Sequence, residues 1–529
     1  MQNISRPAPR RGARSASKVL AAIVIGCSAL SAASWLTFGG DPQRSGWAKE
    51  ESTLTKANVK GLQLEWKLKL DNEPRELNAL TTPVVINPVY TNHGSFEYVI
   101  VGGSSDNLYV IDADTGKVAW QKHFTNQAPP PASPTPQGNY FCPDALNDTP
   151  VIGTGKPAPT VYVISIDGKL HALNLVNGED RFPPKQFVPA YSKNWSLNLV
   201  GDMIYTTVSQ NCHTAKNGVA AMDLNSPEKT VTFFQSDTFG GGIWGRGGAA
   251  VGATGTLYAA TGDGPVDPGS GKYSDTVLAL AGKDLKLLDY FTPANANYLT
   301  RKDLDMGNTT PVVFPYKGRE LMVVSGKEGT LFLLDAKALG GEAHSQPLFQ
   351  ARYLNEENDI AGRGVWGAFA TWEDAKGTRW IYAPAWGPMH SKAETFPITN
   401  GATPNGSLMA FKVEDKNGQP VLTPAWVSHD MSVPEAPVVA NGVVFDVSSG
   451  EFTRQIKENG QLYTTSERIA ASTGNATLYA FDAETGKELY SSGKTMPSFT
   501  HFGGLAVNDG RIFVTTHDST LYAFSVKGE

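Results

Sequence analysis

Residues Leu108-Tyr-Val-Ile-Asp-Ala-Asp-Thr-Gly-Lys-Val-Ala-Trp120 decide the fold. An apolar run of strand length is followed by an Asp/Thr/Gly turn and a second apolar run, which is the pattern of a β-hairpin. A full second copy is Thr477–Tyr490 (TLYAFDAETGKELY). Weaker copies are Lys169–Glu179, Gly218–Lys229, Thr276–Leu287, Thr330–Gly340, Ser407–Gln419 and Thr520–Gly528, which makes eight. Self-similarity of this kind marks a repeat architecture and is read before any local feature. Two more strand-like runs precede most copies, as Thr82–Ile86 and Tyr98–Gly102 precede the first. A unit of four strands is a propeller blade, so the expected fold is all-β: an eight-bladed β-propeller of four-stranded antiparallel blades.

The chain ends suggest how the ring is completed. The last copy stops after one strand, while Leu62–Leu70 is an orphan strand carrying Trp66. Pairing Leu62–Leu70 with Leu521–Val526 would complete the last blade and remove two open edges. An open solenoid would need polar caps, and none is visible. The repeat residues themselves are packing devices. Thr-Gly makes the turn, and the Trp is an apolar wedge whose N–H can reach a backbone carbonyl of the next blade.

Composition agrees with this reading. With 54 Gly and 34 Pro among 529 residues, turns are frequent and long helices few. The 45 basic and 51 acidic side chains leave a net charge of −6 and no basic patch, which argues against nucleic acid as a partner.

Residues 1–34 read as an export signal. Arg6, Arg10, Arg11, Arg14 and Lys18 form a basic region, Val19–Gly26 an apolar one, and small residues follow at Ser28–Ser34. The apolar stretch is short for a membrane-spanning helix. Two processing routes stay open: cleavage near Ser31-Ala-Ala33 releases a soluble protein, whereas Val24-Ile-Gly-Cys27 read as a lipoprotein box leaves Cys27 lipidated and membrane-anchored. Arg10-Arg11 is a poor twin-arginine signal because Ala13-Arg14 follows it. Either route places residues 35–529, a single propeller domain, in the periplasm or otherwise outside the cytoplasm. Cys142 and Cys212 then remain, as disulfide partners or as two buried thiols.

From Trp35 onward the chain resembles the quinoprotein (PQQ-binding-like) propellers, and segment by segment the eight-bladed PQQ-dependent alcohol dehydrogenases. The lead-in Trp35-Leu-Thr-Phe-Gly-Gly-Asp41 and Asn58–Trp66 carry part of the likeness. Gly242-Ile-Trp-Gly245 places Trp244 where that family has the floor on which the quinone stacks. Leu257-Tyr-Ala-Ala-Thr-Gly-Asp263 places Asp263 at a Ca²⁺ ligand that is usually Asn, and a carboxylate keeps the oxygen donor. Asp303-Leu-Asp-Met-Gly307 after Thr292-Pro293 matches the segment of the catalytic base, which the resemblance assigns to Asp305, also beside the metal, with Asp303 as its neighbour. Ser325–Asp335 places Lys327 at the cation that contacts the quinone oxygens and would stabilise negative charge there.

Two stretches depart from the family. Phe141–Asn147 holds one cysteine, Cys142, where the family has an adjacent pair, and Val208–His213 lacks the expected Glu ligand, with His213 and Asn211 as substitutes. The resemblance therefore suggests that Cys142 and Cys212 bond to each other across adjacent blades at the cofactor face. Arg363-Gly-Val-Trp-Gly367 places Trp366 over the pocket, and Thr500–Gly504 matches the last loop before closure.

What the resemblance implies is an exported oxidoreductase that oxidises an alcohol or sugar with PQQ and Ca²⁺. No Cys-x-x-Cys-His occurs, so haem c is not expected and a separate electron acceptor is. Two other functions fit the same repeat: a non-catalytic scaffold of the cell envelope, like an outer-membrane assembly factor, and a ligand-binding module.

Overall fold

The computed structural model describes residues 34–131, 141–155, 159–352, 354–355, 363–452, 454, 457–461, 463–472 and 474–526. Cys27 and the rest of residues 1–33, which the sequence reading takes as part of an export signal, lie outside them. The described chain forms eight antiparallel blades. Blade 1 spans Val84–His123, blade 2 Val151–Gln186, blade 3 Lys193–Gln235, blade 4 Ala250–Phe291, blade 5 Val312–Ala351, blade 6 Gly364–Val427 and blade 7 Val438–Ser491. Blade 8 takes Leu505–Asn508, Arg511–Thr516 and Thr520–Val526 from the C-terminal end, together with Leu62–Lys69 from near the start. Leu62 pairs with Val526 and Lys69 with Thr520, so both ends of the described chain build one sheet. Among the described residues no helix is long and apolar enough to cross a membrane.

Seven of the eight sequence copies fall on the third strand of a blade and the turn that follows, as Asn107–Asp112 does in blade 1, and the last falls on the third strand of blade 8, Thr520–Val526. The period of two along that strand then decides the packing. Tyr109 and Ile111 join the apolar layer shared with blade 8, while Leu108 and Val110 join the layer shared with blade 2. The core is accordingly divided into layers between consecutive blades, with Val161 and Leu173 of blade 2 facing Val110.

The tryptophan wedge recurs with one geometry. Trp66 Nε1 donates to the Ala113 carbonyl at 2.8 Å, Trp120 Nε1 to Leu175 at 2.8 Å, and Trp426 Nε1 to Ala483 at 2.9 Å. In each case the ring covers the turn glycine of the next blade (Gly116, Gly178 or Gly486), which has a positive φ and no room for a Cβ. Trp66 makes this contact from blade 8 onto blade 1, so the same device acts where the two chain ends meet.

Candidate functional site

Five loop segments between the end of blade 3 and the start of blade 6 converge, and their backbones are bonded to one another. Trp244 N donates to Gly307 O at 3.0 Å, Gly262 N to Gly242 O at 2.8 Å, and Lys327 N to Asp305 O at 3.1 Å. Val365 N donates to Gly326 O at 3.1 Å, and Gly367 N to Asn308 O at 3.0 Å. Gly262 lies at the centre of this belt. A Cβ there would come within 3.0 Å of Trp244 Nε1 and 3.4 Å of Asp305 Oδ2, so the floor tryptophan and the acid are neighbours.

The acid-bearing segment is fixed from both sides. Helix Ala296–Lys302 ends on Asp303, which adopts the left-handed conformation at φ 53°. Asp275, buried, accepts from Thr300 Oγ1 at 2.6 Å and from Met306 N at 3.3 Å, which ties both ends of the Thr300–Met306 loop to blade 4. Burial pushes the Asp275 carboxyl up to about 7.

Asp263, Asp303 and Asp305 each bring a carboxylate oxygen within 4.8 Å of the other two. Asp305 is fully buried, Asp303 half-buried and Asp263 exposed. Lys327 Nζ donates to Asp303 Oδ1 at 2.6 Å and to Asp305 Oδ2 at 3.3 Å. Its ammonium also lies 5.1 Å from the Trp244 ring centre and 5.6 Å from that of Trp366. Burial alone would lower the Lys327 pKa, but Asp305 and Asp303 together outweigh it and hold the cation charged. The Asp305 carboxyl is displaced far upward by burial, against the pull of Lys327. Three carboxylates thus face one ammonium, and Asp305 Oδ1 is buried with no hydrogen-bond partner. A hard cation accepts oxygen donors of this kind, so the residues present fit one.

Above and beside Trp244 lies an aromatic group. Trp366 stands 5.4 Å from Trp244 with its plane inclined by 60°, and stacks on Trp386 at 4.6 Å. Phe502 stacks on Trp386 at 5.4 Å. The Thr500–Gly504 loop is held here by Phe502 N donating to Glu435 Oε1 at 2.7 Å, with His501 Nδ1 2.6 Å from Glu451 Oε2.

Cys142 and Cys212 form a disulfide between residues 70 apart in sequence, with Cα atoms 5.7 Å apart. His213 Nε2 is 2.7 Å from Asp144 Oδ1, and Asn211 bonds Asn217 and the Phe239 carbonyl. Neither joins the three carboxylates. The structure thus brings Trp244, Asp263, Asp305, Lys327 and Trp366 together, and bonds the two cysteines to each other.

Sequence reading missed a basic corner beside this group. Arg246 lies 4.7 Å from the Trp195 ring centre and 5.0 Å from that of Phe502. Lys193 lies 5.3 Å from Trp195 and 6.0 Å from Phe141, the neighbour of Cys142. The charged residue directly after Trp244-Gly245 was the one available signal. Whether such a side chain is buried depends on blades far apart in sequence.

A family profile described as outer membrane protein assembly factor BamB matches residues 44–226 and 440–529, just over half of the chain. The chain belongs to this PQQ_2 family of propeller proteins. No curated protein matches the sequence significantly. Among solved structures, the quinohaemoprotein alcohol dehydrogenase of Comamonas testosteroni is similar at 16% identity and TM-score 0.60, covering 95% of this chain and 82% of that one. A quinohaemoprotein alcohol dehydrogenase of Pseudomonas putida is similar at 13% identity and TM-score 0.58, over 94% and 81%. A europium-containing methanol dehydrogenase gives 13% identity and TM-score 0.58 over 93% of this chain and 98% of that one. These likenesses establish the fold.

Proposed function

We propose that the protein is an exported PQQ-dependent oxidoreductase acting on a small alcohol or sugar. The observation that carries this reading is the cluster of three carboxylates beside Trp244 and Lys327, with the buried Asp305 Oδ1 lacking a partner. Nothing in blade packing requires three acids, one lysine and an aromatic floor at one point.

PQQ, when bound, would take up the hydride that leaves the substrate carbon. Trp244 would offer the face on which a planar ring rests, with Trp366 5.4 Å away beside it. Lys327 supplies positive charge toward the quinone oxygens. Asp305 stands to accept the hydroxyl proton of the substrate, and Asp263 and Asp303 complete an oxygen site for a cation. Calcium suits such donors, and three carboxylates also suit a trivalent ion such as the europium in the methanol dehydrogenase neighbour. A separate acceptor outside the cytoplasm would then reoxidise the cofactor.

The test is reconstitution of the mature chain with PQQ and either Ca²⁺ or a lanthanide, followed by absorbance titration and dye-linked oxidation of alcohols and sugars. Binding at micromolar PQQ with cation-dependent turnover is expected, and no binding with either cation overturns the reading. A second reading, a cell-envelope scaffold, draws on the family description and on the profile match, which passes over residues 227–439 where the carboxylates lie. It takes precedence if neither PQQ nor a cation binds.

A further inference from the structure

Lys193 belongs to the short inner strand Lys193–Asn194 of blade 3, which pairs with Val208–Ser209. Its side chain is only 7% exposed. Among the described residues its ammonium has no salt bridge and no hydrogen bond, and it touches the faces of Trp195 and Phe141. Lysine is rarely buried unless paired, because burial removes the hydration of its charge. Here the nearest cation makes matters worse. Burial and the charge of Arg246 together lower the Lys193 pKa to about 7. The acids Glu435 and Glu451 act on Arg246 rather than on Lys193. Arg246 itself keeps a buried Nε with no partner. Two cations on one tryptophan, one lacking any anion, make a corner that folding alone does not favour.

This corner is linked to the proposed cofactor site by a chain of side-chain contacts. Contacts run from Lys193 to Trp195, Arg246, Phe502, Trp366 and Trp244, and so to Lys327 and the carboxylates. It also lies beside the disulfide through Phe141. We propose that Lys193, with Arg246 beside it, holds a carboxylate of the planar aromatic ligand bound in this site. The site is then divided by charge, with the acids taking a cation at the reacting end and the basic corner taking the ligand's acid group. The inference rests on the quinone reading in naming PQQ, a planar tricarboxylate, as that ligand.

The test titrates wild type, Lys193→Met and Lys193→Arg with PQQ and with benzene-1,3,5-tricarboxylate, followed by calorimetry. Lys193→Met is expected to weaken PQQ binding by roughly tenfold to a hundredfold, the loss of one charged hydrogen bond. Lys193→Arg is expected to retain it, and the ligand-free melting temperature of Lys193→Met to stay level or rise as an unpaired buried charge is removed. Equal PQQ affinity of Lys193→Met and wild type overturns the inference and leaves the quinone reading standing. If wild type binds no PQQ, that reading fails and the tricarboxylate decides: Lys193-dependent binding supports the corner, and none overturns it. Should the Met variant not fold, amine acetylation of wild type read by mass spectrometry serves instead. Protection of Lys193 by PQQ or by the tricarboxylate supports the inference, and unchanged labelling overturns it.

Discussion

Blades 1 to 3, 7 and 8 lie largely within the residues matched by the family profile, whereas blades 4 to 6 lie within the unmatched interval 227–439. Both arcs are built on the same four-strand blade, with a fifth short strand in blade 3 and two more in blade 6, and both have apolar layers between blades. They differ where they face the site. The unmatched arc brings Trp244, Asp263, Asp303, Asp305, Lys327 and Trp366, and the matched arc brings the disulfide, Lys193 and Trp195. Within the unmatched arc itself, two tryptophans separate the residues that serve the repeat from those that face the site. Trp426 is fully buried against Gly486 of the next blade, with its N–H satisfied, and serves the repeat. Trp244 is half-buried, with Lys327 at its face, and the repeat does not need it.

The largest expected effect tests the unmatched arc. Asp305→Asn should lower dye-linked turnover of the reconstituted protein by roughly 10²–10⁴-fold, the usual contribution of a general base, while PQQ binding persists. Loss of binding with turnover in proportion would instead make Asp305 a cation ligand alone. The two tryptophans provide the next contrast. Trp426→Ala should destabilise by about 3–5 kcal/mol in denaturant unfolding. Trp244→Ala should change stability by less than about 2 kcal/mol and abolish PQQ binding, because less of its area is removed from water. Similar stability losses for both would erase the distinction drawn here.

Reducing the Cys142–Cys212 bond closes the series on the matched arc. With the partners 70 positions apart in sequence, reduction should cost about 2–4 kcal/mol, read as a lower melting temperature after thiol treatment. The smallest effect concerns pH. Burial pushes Asp106 and Asp148, on the matched arc, up to about 7. Between the ordinary aspartate value and 7, the folded state keeps protons that the unfolded chain has released. Stability should therefore fall as pH rises through that window and level off above it. Asp148→Asn should flatten the fall in melting temperature measured across pH 4 to 8.

The repeat was legible because it is local. In Asn107–Trp120, alternation sets which face each residue buries, Asp and Gly set the turn, and the Trp position sets the wedge. The eight copies therefore marked eight third strands without any knowledge of long-range contacts. Trp244, Asp263, Asp305 and Lys327 were legible only through resemblance, since an Asp in a polar loop otherwise reads as a turn residue. Lys193, Arg246 and Glu435 were not legible at all. Their burial comes from side chains contributed by different blades, such as Phe502, which bonds Glu435 across 67 residues.

The amino-acid sequence by itself thus determined the all-β repeat, the blade count and the wedge that joins each blade to the next, because those follow from periods of two and from turn chemistry within a dozen residues. Tertiary structure alone decided which charges share one buried space. Asp303 and Asp305 meet Lys327 across more than 20 positions, and Lys193 meets Arg246 across more than 50. Closing a ring of blades brings such loops together at one end. Only there does low dielectric make a carboxylate oxygen or an ammonium without a partner costly enough to signal a site.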